Sequence, residues 1–180
     1  MSEKETHQDV ECMQRMVDEQ KGRNLWKEVV DLRDQQREDA KKAVWLIKGD
    51  MLEWENNEQG LMRWYMHPFL KLPCIRTQQI YVQKIPGGSR SGRFHHPGGQ
   101  IIFAWEGHGY TVIDGQKYHW EKNDLVQLPL KLKGVTVQHF NSDPDNDAML
   151  ICVEANFFQM ASVDRGSVFE QLEVSPDYER

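Results

Sequence analysis

Cysteine is scarce: Cys12, Cys74 and Cys152 are the only three in 180 residues, odd in number and far apart. That excludes a disulfide framework and a CxxC metal knuckle, and predicts buried thiols. A basic excess is missing too. Asp and Glu total 28 against 22 Lys and Arg, a net charge of -6, which argues against a nucleic-acid or anionic-membrane binder, since those neutralise phosphates with Lys and Arg. No apolar run approaches the roughly 18 residues of a membrane span. The polar start MSEKETHQDV lacks the apolar core of a signal peptide, so a cytoplasmic protein is expected. There is no GxSxG elbow, phosphate loop, dinucleotide fingerprint or HExxH, which leaves hydrolase, nucleotide-binding and zincin readings without support.

What the chain does hold is large apolar side chains: six Trp and seven Phe within a modest apolar content of 39%. Residues 1–45 are charged and lack strand alternation. Met13, Met16 and Val17 share one helical stripe and Leu25, Val29 and Leu32 another, with Gly22 between them, which predicts two amphipathic helices. From residue 46 to about 160 the pattern is one of short strands with turn signals every eight to twelve residues, as in a closed antiparallel barrel or sandwich. Pro68 holds His67 away from helix and leaves an extended arm carrying Trp64, Tyr65 and His67, placed to cross a barrel mouth or to add to a sheet. Asp114-Gly115 is a strong hairpin signal. The segment Gln100 to Trp105 is apolar on both faces, so its outer face needs a cover, and a homodimer or the N-terminal arm is expected to provide it. Residues 161–180 read as a mostly irregular tail.

The stretch from Gly87 to Asn141 is the most informative. It runs from GGSRSGRFHHPGGQ through IIFAWEGHG to LVQLPLKLKGVTVQHFN. In order and spacing it resembles the two motifs of the cupin superfamily, and within it the single-domain cupins similar to gentisate 1,2-dioxygenase, whose strand ends in Glu-Gly-x-Gly as Glu106 to Gly109 do here. The resemblance implies a mainly β chain, an antiparallel jelly-roll barrel, to which the two helices read from the periodicity form an N-terminal α-helical extension. It also locates the family's metal ligands. Counting from Glu106 and from Asn141, the family's Glu falls on Gln100, its two first-motif histidines on Phe94 and His96, and its second-motif histidine on Val137. His139 lies two residues further along the same strand and so shares the facing of Val137.

A strict reading of these positions is a weakened or absent metal site. The lenient reading is a divalent metal, Fe(II) by the resemblance, held by His96, His139 and Gln100, with Arg93, Tyr81 or His67 meeting the substrate. Arg93 suits a carboxylate by its bidentate fork. The function implied is an iron-dependent oxygenase acting on a small aromatic or carboxylic acid. Two alternatives stand beside it: a non-catalytic cupin that binds a small molecule without metal, and a metal-independent isomerase or lyase with a His as acid or base.

Overall fold

A computed structural model describes residues 3–160 and 169–178 and divides the chain into two compact units, residues 1–43 and 44–180. The first unit holds two helices, α1 (Glu3–Gln20) and α2 (Leu25–Lys41). Gly22 ends the first helical run with φ of 74°, a left-handed conformation that glycine adopts without a Cβ penalty. Asn24 starts the second helix, its side chain accepting a hydrogen bond from Lys27 N at 2.9 Å. The pair of helices is as predicted. Their apolar stripes, from Val10 to Val17 and from Leu25 to Leu32, are exposed within the chain.

The second unit is a two-sheet antiparallel sandwich. Its strands are β1 (Glu55–Asn57), β2 (Gly60–Met66), β3 (Gln78–Ile85), β4 (Arg93–His96), β5 (Gln100–Glu106), β6 (His108–Ile113), β7 (Gln116–Glu121), β8 (Leu125–Gln127), β9 (Val135–Asn141), β10 (Ala148–Ala155) and β11 (Glu170–Glu173), with a short α3 (Phe157–Met160) after β10. One sheet runs β1-β2-β3-β10-β5-β8 and the other β11-β4-β9-β6-β7. The predicted arm carrying Trp64 is β2, paired antiparallel with β3. Asp114 and Gly115 turn β6 into β7 with φ of 49° and 86°, the double left-handed turn that an Asp-Gly pair selects in a hairpin.

Alternation along the strands builds the core. Ile102 and Ala104 of β5, Val135 and Val137 of β9, and Leu150 and Cys152 of β10 all face the space between the sheets and are fully buried. Asn141 anchors one end, its Nδ2 donating to Ile85 O at 3.0 Å, Pro86 O at 3.1 Å and Asn146 O at 2.8 Å.

One sequence expectation meets a different outcome. Only Cys152 is a buried thiol, whereas Cys12 and Cys74 are exposed. Cys12 sits among exposed helix residues, and Cys74 lies in the irregular segment before β3. The tail is not wholly irregular, because β11 pairs with β4 and closes that edge of its sheet. The outer face of β5 is open within the chain: Ile101 is 45% exposed and Trp105 44%.

Candidate functional site

Four strands turn polar side chains into the sandwich near one end of the barrel. Gln79 comes from β3, His96 from β4, Gln100 from β5 and Glu154 from β10, each on the inward parity of its strand. Register brings them together: Gln79 and Gln100 are the two cross-strand partners of Glu154. Gln79 Nε2 donates to Glu154 Oε1 at 2.5 Å, and His96 Nδ1 lies 3.7 Å from Glu154 Oε2. Gln100 Nε2 donates to Tyr81 Oη at 2.9 Å.

These groups are uncharged at neutral pH. Burial pushes the Glu154 carboxyl up to about 8. It lowers His96 to about 4, with a smaller contribution from His95, and lowers His139 to about 3, with a smaller contribution from His96. The 3.7 Å approach of His96 to Glu154 is therefore a contact between neutral groups rather than an ion pair. His139 sits deeper on β9, where its Nδ1 meets Thr111 Oγ1 at 2.9 Å, and Trp120 Nε1 donates to the same hydroxyl at 3.1 Å.

Above Glu154 opens a cavity of about 520 Å³. Its wall is rich in aromatic side chains, among them Trp64, Phe69, Tyr81, Phe94, Phe158 and Phe169, with Gln79 and Glu154 also in its lining. A recess of about 20 Å³ shares Phe94, Phe158 and Glu154 with it and reaches His96. Phe94 stacks on the His96 ring with centroids 4.7 Å apart.

Of the sequence candidates, Tyr81 and His67 line the cavity, and His96 lines the recess behind it. Gln100 and His139 are buried in the wall behind and line neither space. Arg93 stands apart, on the opposite parity of β4, paired with Glu173 at 2.8 Å. Sequence reasoning missed Glu154 and Gln79. The signal was present in AMLICVEA, where the parity that buries Ala148, Leu150 and Cys152 also turns Glu154 inward.

For a divalent metal the donor set is mixed. His96 Nε2, His139 Nε2 and Gln100 Oε1 are all buried without a hydrogen-bond partner, as ligand atoms would be. All three are neutral donors, and among the described residues no set of three His, Cys, Asp or Glu side chains is placed to share an ion. The motif positions at Phe94 and Val137 face each other across β4 and β9 and form an apolar pair. The His96 tautomer matters as well. Gly98 N donates to its Nδ1 at 3.4 Å, which puts the ring hydrogen on Nε2, whereas a metal at Nε2 needs that hydrogen on Nδ1, facing Glu154.

No protein-family model matches the sequence, and no curated protein matches it. Solved structures do resemble it. A cupin-like protein from Thermotoga maritima is 21% identical over 67% of this chain and 87% of its own, with a TM-score of 0.48. Salicylate 1,2-dioxygenase from Pseudaminobacter salicylatoxidans is 15% identical over 61% of this chain and 29% of its own, at 0.49. The vicilin from Solanum melongena is 17% identical over 77% of this chain, at 0.53, and the chain spans 36% of the vicilin's length. The likeness is one of fold alone: the sandwich of residues 44–180 has the jelly-roll architecture of the cupin type.

Proposed function

We propose that the aromatic cavity is a small-molecule site whose ligand places a polar atom against Glu154 and Gln79. The observation that carries this reading is a buried carboxyl set beside aromatic side chains in the lining of a cavity of about 520 Å³, a volume within the usual range for small-ligand sites. A carboxyl held protonated in a buried wall is a group that exchanges a proton with what binds. The reading covers both a metal-independent isomerase or lyase and a non-catalytic binder. A thermal-shift screen of small aromatic molecules tests it. Hits should lose most of their stabilisation in Trp64→Ala and in Glu154→Gln, and hits that survive undiminished in both variants place the ligand elsewhere.

A metal-dependent oxygenase is the second reading, favoured by the orphaned nitrogens of His96 and His139. In it His96, His139 and Gln100 hold Fe(II), with Glu154 behind the His96 ring as the acceptor that fixes its tautomer. The ion when bound supplies dioxygen chemistry. The chain supplies dryness, and the aromatic wall orients the substrate ring. Iron content after supplementation is the test: His139→Ala should abolish bound iron, Val137→Ala should keep it, and Val137→His should raise it. Equal iron in the wild type and in His139→Ala would rule this site out.

A further inference from the structure

Charge around the cavity is one-sided. Three carboxyl groups line it, Glu154 within and Glu55 and Glu58 at exposed positions, and among the described residues no Lys or Arg does. Arg93, the candidate partner for a substrate carboxylate, is engaged with Glu173 and outside the lining. An anionic ligand would thus enter a negative mouth and end against a carboxyl with no basic counter-group.

The hydrogen-bonding inventory points the same way. Gln79 gives its amide N–H to Glu154, and Gln59 gives its own to Gln171 Oε1 at 2.7 Å, which leaves Gln79 Oε1 and Gln59 Oε1 buried without a donor. Both residues line the cavity, and Gln79 is only 2% exposed. Glu154 joins these acceptors once a bound cation favours loss of its proton to solvent, so the ligand they suit is a cationic donor. The walls add a third element, because Trp64, Tyr81 and Phe94 in the lining are aromatic groups of the kind that attract a cation.

We infer that the cavity recognises a small cationic amine on an aromatic or apolar body, with the ammonium against Glu154 and Gln79 and the body against the aromatic wall. This rests on the reading of the cavity as a small-molecule site and specifies its ligand class. The ammonium supplies the counter-charge that lets the buried carboxyl ionise, and its hydrogens fill the orphaned amide oxygens.

Calorimetric titration of the full chain with benzylamine, benzyl alcohol and benzoate tests the inference, because the three share a ring and differ in charge. Benzylamine should bind at least about tenfold more tightly than the alcohol, with benzoate the weakest. In Glu154→Gln, with its fold checked by thermal melting, the amine-to-alcohol preference should collapse to within about twofold. Benzoate binding as tightly as benzylamine overturns the inference, as does an undiminished amine preference in the variant. Equal binding of amine and alcohol by the wild type removes the charge selectivity and leaves the cavity reading standing. No binding by any of the three removes both.

Discussion

Thr111 is small, fully buried and shared by two larger partners. Its hydroxyl takes the Trp120 indole N–H and meets His139 Nδ1, so removing it strands two buried polar groups at once. Thr111→Val should cost about 1–3 kcal/mol of unfolding free energy in urea titrations, while Thr111→Ser keeps most of it. A Val variant as stable as the wild type would mean that the network rearranges. The inward facing of His139, His96 and Gln100 was legible in the sequence because motif counting and strand parity together set it. Glu154 and Gln79 could not be singled out. Each looks like one polar residue in a strand, and what makes them a site is register across β3, β10 and β5, a relation between segments some 75 residues apart. Arg93 fails for a local reason: parity places it outside, where Glu173 of a strand not foreseen in the tail takes its charge.

Among the elements, β5 carries an unsettled apolar surface. Its inner residues Gln100, Ile102 and Ala104 are each 1% exposed, as the alternation required, while Ile101 and Trp105 stand open on the outside beside Leu125 of β8, the strand that pairs with β5. The expected cover is a second copy of the chain. Light scattering at micromolar concentration should give the mass of two chains, and Trp105→Glu together with Ile101→Lys should shift it toward one, since charges placed in an apolar interface are costly. A wild-type mass of one chain would count against this face as the dimer surface. The turns were the most legible elements, because Asp114-Gly115 and Asn123 state their left-handed geometry in residue type alone, and both adopt it. The pairing of β11 with β4 was not legible. It depends on Gly92, where any Cβ would lie 2.4 Å from Glu58 O and 2.8 Å from Glu173 O, a closeness that no local pattern reveals.

For the whole molecule, the buried titratable groups set opposing pH dependences. His96 and His139 are neutral in the folded state down to about 4 and 3 but gain protons near 6.5 when unfolded, so their contribution is full above 6.5 and lost as pH falls. Glu154 keeps its proton to about 8 when folded and loses it near 4.5 when unfolded, so its contribution is full below 4.5 and lost as pH rises toward 8. From 4.5 to 6.5 the two histidines outweigh the one carboxyl by a proton, and above 6.5 only the carboxyl titrates. Stability should therefore peak near pH 6.5, with a slope of about 1.4 kcal/mol per pH unit on either side. Urea midpoints across pH 5 to 8.5 measure it. Glu154→Gln should flatten the alkaline arm and leave the acid arm in place, whereas an alkaline arm unchanged in that variant would assign it to other groups.

The late strand β11 has a temporal consequence. Phe169 and Gln171 belong to the wall of the aromatic cavity, yet they lie more than 70 residues after β4, the strand that β11 joins. On a ribosome that wall cannot be laid until residue 171 has cleared the exit tunnel, by which time every other strand of the barrel has been made. A nascent chain halted at residue 160 would have the polar floor and the motif strands and no complete pocket, so ligand binding should begin only once β11 has emerged and paired with β4.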